Sequence, residues 1–91
     1  AYTLTSIRAS VTTAPTGASL IADVDLNGTS IMTTNKLEIE VSEKSTKTAT
    51  TQPTLTTTSL ADDDELTVNV NQIGSTVAGA GLKVYLIGYP T

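Results

Sequence analysis

The 91-residue chain contains no cysteine, no histidine, no tryptophan and no phenylalanine. Without cysteine no disulfide can stabilise the domain, and without cysteine and histidine the common zinc ligand sets are excluded. A Ser-His-Asp triad is excluded too, because no histidine is present to activate a serine. A chain this short buries only roughly 60–65% of its unfolded surface, so association with other copies or with a larger chain is an expected source of stability.

Positive charge and long apolar runs are also scarce. Five basic residues stand against nine acidic ones, for a net charge of −4, and the basic residues do not cluster. We therefore expect no nucleic-acid partner. No apolar run approaches the ~20 residues needed to cross a bilayer, and no basic segment followed by an apolar block opens the chain. We expect neither membrane association nor a signal peptide.

Threonine is abundant, at roughly a fifth of the residues, and valine, isoleucine and leucine are plentiful. Side chains branched at Cβ favour a pleated sheet over a helix. Apolar and polar residues alternate with a period of two along most of the chain, and no segment has a sustained helical period. The predicted strands are residues 1–5, 7–12, 18–26, 29–34, 36–41, 66–71 and 82–87, with an edge strand and long loops in 42–58.

These short strands, separated by turn signals, predict one all-β domain over residues 1–91. The expected architecture is an antiparallel β-sandwich, jelly-roll-like, of about seven strands. A lone sheet of this size would leave its apolar face in water, so two sheets must pack together. The side chains predicted to face inward are Leu20, Val24, Leu66, Val68, Val70, Val84 and Leu86.

Asn27-Gly28 is the strongest turn signal, because both residues tolerate positive φ in a two-residue type I′ hairpin. The acidic run that begins with Asp62, Asp63 and Asp64 supplies candidate ligands for Ca²⁺. Four consecutive acids at a strand entry point in different directions, so a solvated turn is the preferred interpretation and no metal or other cofactor is expected. Asp23 and Asp25 are interpreted as surface charge, since no cleft or aromatic platform for glycoside hydrolysis is evident.

Candidate contacts with other subunits or with a ligand come from a few exposed apolar and aromatic positions. Aromatic rings combine apolar area with a polar group and suit either role. A trimer would bury several residues that a monomeric sandwich leaves exposed on its outer faces. The candidates are Tyr85, Tyr89, Ile21, Ile73 and Ile87.

Three segments carry a family resemblance, and they keep their order along the chain. They are LTSIRASVTTAPTGASLI (4–21), DVDLNGTSI (23–31) and SLADDDELTVNVNQIGST (59–76), the last followed by GLKV (81–84). Together they resemble a β-sandwich module that recurs in virion structural proteins of tailed bacteriophages, in tail-fibre, head-fibre and decoration domains. Members of this family usually have a strand before the segment that begins at Leu4, and the motif includes no catalytic residue.

The resemblance implies a non-enzymatic structural domain of a phage virion that assembles with other copies, and we expect a homotrimer. Because the resemblance implies an earlier strand that this sequence lacks, the first strand is expected to be unpaired and the monomer unstable until a neighbour donates a strand. The alternative is a carbohydrate- or host-receptor-binding module at a fibre tip. A fibre depolymerase fragment is disfavoured by the missing histidine and the sparse aromatics.

Overall fold

The computed structural model describes all residues from Ala1 to Thr91 and contains two antiparallel sheets packed face to face. The predicted all-β antiparallel sandwich is confirmed, although residues 1–5 and 7–12 belong to one strand and the short strand at Ser59–Leu60 was not predicted. The strands are β1 (Tyr2–Ser10), β2 (Leu20–Leu26), β3 (Thr29–Ser30), β4 (Leu37–Ile39), β5 (Ser59–Leu60), β6 (Leu66–Gln72) and β7 (Lys83–Pro90). The one helical element is a 3₁₀ turn at Thr46–Thr48, and no helix is long and apolar enough to span a membrane.

The first sheet has the order β5-β1-β7. Its central strand β1 pairs with nearly the whole of β7, and the register shifts between Leu4 and Ser6, where Thr5 is the extra residue. The other edge of β1 pairs with β5 at Tyr2 and Thr3. The first strand of the chain is therefore central, and the expectation that it is an unpaired edge is wrong.

The second sheet is built around β2. One edge of β2 pairs with the short strands β3 and β4, and the other edge pairs with β6 alone. No strand lies beyond β6. After β4 the chain returns to β1. There the Val11 N–H donates to the Lys44 carbonyl at 2.9 Å and the Ala9 N–H donates to Thr46 Oγ1 at 3.1 Å. These contacts close one side of the sandwich, which we call the closed side.

The hydrophobic core lies toward this closed side. Ile31, Met32 and Ile39 are fully buried, and the turn after β3 brings the first two inward. Leu20 and Val24 are buried as predicted, while Val84 and Leu86 are partly buried against the same core. The remaining members of the buried cluster are Leu4, Ile7, Ala9, Val11, Ala22 and Leu37.

Three expectations from the pattern are wrong. The inward side chains predicted for β6 are exposed: Leu66 at 37%, Val68 at 45% and Val70 at 49%. The return strand predicted for 29–34 ends at Ser30, because the Ser30 hydroxyl accepts a hydrogen bond from the Met32 N–H at 3.1 Å and the chain turns into the core. Residues 42–58 contain the 3₁₀ turn and no strand of either sheet.

Candidate functional site

The acidic run does not form a cation site in this structure. Asp62 accepts a hydrogen bond from the Ala1 amino group at 2.8 Å, and Asp63 has a positive φ of 67°. Asp64 accepts from the Ala61 N–H at 2.7 Å and from Asn27 Nδ2 at 3.0 Å. No group of three or more acidic side chains converges in a way that could hold a metal ion. Asp64 instead caps local backbone and links the acidic run to Asn27, and Asp62 binds the amino terminus.

Asn27 and Gly28 form the predicted two-residue hairpin loop, with φ of 50° and 89°. The Asn27 side chain also accepts a hydrogen bond from the Glu65 N–H at 3.0 Å. These bonds link the β2–β3 turn to the acidic run. The pKa of the Asp64 carboxyl is lowered, mainly by the hydrogen bond from the Ala61 N–H and also by the one from the Asn27 amide. This pairing holds the start of β6 in place beside β2.

Asp23 is 8% exposed and is not the surface charge that the sequence predicted. Its carboxylate accepts a hydrogen bond from the Ser30 hydroxyl at 2.6 Å and lies 3.2 Å from Lys36 Nζ. Burial by itself raises the pKa of Asp23, but the bonds from Ser30 and Lys36 outweigh it and the net pKa is lowered. Burial and the neighbouring Asp23 raise the pKa of Asp25. The Asp23 carboxylate is therefore paired within the chain.

The inner face of β6 is the clearest unexplained surface. The register places Val68 opposite Val24 and Val70 opposite Ala22, and residues directly opposite in an antiparallel pair point to the same face. Val24 and Ala22 are fully buried, whereas their β6 partners are about half exposed. We call Leu66, Val68 and Val70 the β6 row. The β6 row therefore lies on the same face as the buried core side chains of β2 but remains partly uncovered.

The backbone of β6 is open along the same edge. The Asn27 N–H donates to the Glu65 carbonyl at 2.8 Å, next to the Leu26–Leu66 pair, which makes that pair a non-hydrogen-bonded one. Hydrogen bonding alternates along an antiparallel ladder, so Thr67 and Asn69 direct their N–H and C=O groups to β2. The corresponding groups of the β6 row point away from β2, toward solvent.

The candidate contact residues named from the sequence do not form one patch. Tyr85, Ile87 and Tyr89 alternate along β7 on the outer face of the first sheet, with exposures of 44%, 40% and 53%. We call them the β7 row; the Arg8 guanidinium lies 5.8 Å from the Tyr85 ring centroid. Ile73 is 55% exposed just after β6, and Ile21 is partly buried on β2. Ile21 belongs to the second sheet, and Ile73 directly follows its strand β6.

The β6 and β7 edges lie on the same side of the molecule, because the opposite edge of β1 is occupied by β5 and the segment after β4. The sandwich is closed by β4 and the 3₁₀ turn on one side. On the other side the β6 row is 37–49% exposed and Val84 and Leu86 of β7 are only partly buried, so the sandwich is open between β6 and β7. This open side contains the candidate functional surface.

A shallow groove of about 490 Å³ lies on the closed side, between β1 and the segment that precedes β5. Its lining is mostly hydroxyl and amide groups, with Ile7 and Leu55 as apolar members. The Gln52 amide is already bonded to the carbonyls of Thr46 and Ala49, at 2.8 and 2.7 Å. The residues that line the groove include no acidic, basic or aromatic side chain.

No protein-family model, no curated protein and no solved structure matches this chain. The fold defines the class of the molecule, a small antiparallel β-sandwich.

Proposed function

We propose that this chain is a non-enzymatic structural domain that assembles with other copies of itself through the open side of its sandwich. One observation carries the proposal: the β6 row is exposed although its cross-strand partners on the same face are fully buried. A monomer gains nothing from leaving such a face in water, and contiguous exposed apolar surface marks contact sites. The sequence resemblance to phage structural modules supports a location on a virion.

The exposed row is not the result of a loosely packed molecule. The total accessible area is 5057 Å², close to the ~5,000 Å² expected of a folded monomer of this mass. The exposure is concentrated on the C-terminal strands, since every residue of β6 is exposed while β2 and β4 are largely buried. Such a local apolar surface is typical of a subunit contact.

A second candidate, binding of a surface carbohydrate, is favoured by the β7 row. Tyr85 and Tyr89 lie four residues apart on β7, which places their rings roughly 13 Å apart along the strand. Tyrosine rings can stack on sugars and their hydroxyls can accept or donate hydrogen bonds. Binding on a glycan array that is lost in Tyr89→Ala, with the fold unchanged, would favour this function over assembly.

Sedimentation of the wild-type chain tests the leading proposal. Between about 1 and 500 µM, we expect the weight-average mass to rise above that of one chain. A chain that stays monomeric at 500 µM would contradict assembly by this domain and would raise the carbohydrate-binding candidate above it.

A further inference from the structure

We infer that the β6 edge pairs with the β6 edge of a second copy, antiparallel and about a twofold axis at Val68, to form one continuous sheet across two molecules. This inference rests on the proposed function and names the partner and the register of that same site. The inferred assembly is a dimer, because a twofold axis relates two copies, whereas the sequence predicts a trimer.

The open edge of β6 carries free backbone groups. The Asn27–Glu65 hydrogen bond fixes the ladder so that the N–H and C=O groups of Leu66, Val68 and Val70 point to this edge. In a pairing centred on Val68, each Val68 lies opposite the other, and each Leu66 lies opposite Val70 of the second copy. All three positions then become hydrogen-bonded pairs, so every open group of the β6 row finds a partner.

β6 also lacks the features that normally block pairing of edge strands. From Leu66 to Gln72 it contains no charged residue and no proline, and only Asn71, at the end, interrupts the register with β2. Natural edge strands are commonly protected by lysine, proline or very short length. The edge of β7 has such protection, because the strand begins with Lys83 and ends with Pro90. β6 is therefore the edge that accepts a partner.

Charge selects the antiparallel direction. The acidic run from Asp62 to Glu65 comes immediately before β6, and the chain as a whole has a net charge of −4. Parallel pairing would place the two acidic runs side by side. The antiparallel register separates them to opposite ends of the paired strands, beside the uncharged C-terminal end of β6 in the second copy, so this direction avoids the repulsion.

The same register joins the apolar surfaces. A twofold axis perpendicular to the sheet keeps the inner faces of both copies on one side, so the two β6 rows form one strip. The side chains of each row then cover the other along the open side of the sandwich. A second copy is thus an occupant that satisfies both the backbone edge and the apolar face.

Cysteine pairing tests the register, because the chain has no native thiol. In Val68→Cys the two thiols would lie on directly opposed residues with Cα atoms about 5.5 Å apart, within disulfide range. Oxidation by copper phenanthroline should give a covalent dimer. Leu66→Cys alone and Val70→Cys alone should not crosslink, because the two equivalent cysteines of the pair would lie about four residues apart along the strands. An equimolar mixture of these two variants should crosslink.

A charge on the inner face tests the surface independently of the crosslink. Val68→Lys should raise the dissociation constant of the wild-type pair at least ~100-fold, because two lysines would face each other across the axis. Thr67→Lys is the matched control, with the same charge one position away on the outer face, and should associate nearly as the wild type does. Circular dichroism of both variants shows whether each is folded.

The outcomes separate the inference from the proposed function. If the wild type associates and Val68→Lys associates equally well, or if the assembly is a trimer, then twofold β6 pairing is wrong while assembly stands. If Leu66→Cys crosslinks alone and the mixture does not, the register is wrong. A wild type that remains monomeric overturns both.

Discussion

Gly28 shows how a single residue sets the geometry of a hairpin. Its φ is 89°, and a Cβ added there would meet no atom within 4 Å. The cost of a side chain at this position is therefore entirely conformational, without any clash. Gly28→Val should lower the free energy of unfolding by about 1–3 kcal/mol, as expected for a β-branched residue held at positive φ.

Chemical denaturation of Gly28→Val and Gly28→Asn measures this effect. Asparagine tolerates the left-handed region, so Gly28→Asn should lose clearly less stability than the valine variant. Equal losses in the two variants would show that something other than backbone conformation is limiting.

Val24 and Val68 form a matched pair, since they are cross-strand neighbours with the same side chain and very different exposure. Val24→Ala should lower the free energy of unfolding by about 2–3 kcal/mol, by lost burial and a residual cavity. Val68→Ala should cost less than about 1 kcal/mol in a dilute monomer. Urea titrations at low micromolar concentration measure both changes. A large loss of unfolding free energy in Val68→Ala would show that Val68 is part of the core.

Asp23 makes stability depend on pH. Its folded pKa is lowered from 3.8, so its contribution is complete above pH 3.8 and is lost as the pH falls through the folded pKa. In Asp23→Asn, the loss of stability between about pH 5 and pH 2 should be smaller than in the wild type. Thermal unfolding measured across this range checks the prediction.

Asp25 should have the opposite effect on the pH dependence of stability. Its folded pKa is raised, so its protonation on acidification favours the folded state and partly offsets the loss at Asp23. Asp25→Asn should therefore lose stability on acidification more steeply than the wild type. The same slope in all three proteins would show that neither carboxyl controls the acid transition.

At the scale of the element, β6 has one edge bonded to β2 and one edge open. In dilute protein, the amide hydrogens of Thr67 and Asn69 should exchange slowly and those of Val68 and Val70 quickly. At concentrations where the chain associates, Val68 and Val70 should gain protection, because the second copy bonds to them. Hydrogen exchange followed by NMR resolves the individual amides, and uniform fast exchange along β6 would contradict its pairing with β2.

The whole molecule has a closed side and an open side, so its stability should depend on how many copies are present. A partner that binds only the folded chain raises the melting temperature with concentration. We expect the wild type to melt several degrees higher at 500 µM than at 5 µM, and Val68→Lys to show no such rise. Scanning calorimetry measures both, and an unchanged wild-type melting temperature would contradict assembly through this surface.

Local patterns in the sequence were enough to predict much of this fold. Alternation of apolar and polar residues identified β1, β2, β6 and β7, because a pleated strand turns successive side chains to opposite faces. Asn27-Gly28 located the hairpin, because few residues adopt positive φ in sequence. Both signals depend only on neighbours along the chain. The absence of cysteine and histidine likewise excluded disulfides and the common zinc sites without any structure.

Which apolar faces are covered follows from contacts between the two sheets and could not be predicted from the sequence. Val24 and Val68 have the same residue type and the same alternation, yet one is fully buried and the other about half exposed. Likewise, Asp23 is buried because Ser30 and Lys36 reach it from other parts of the chain. A period of two specifies that a strand has two faces, but burial depends on what the opposite sheet places above each face, and that is set by contacts between distant segments.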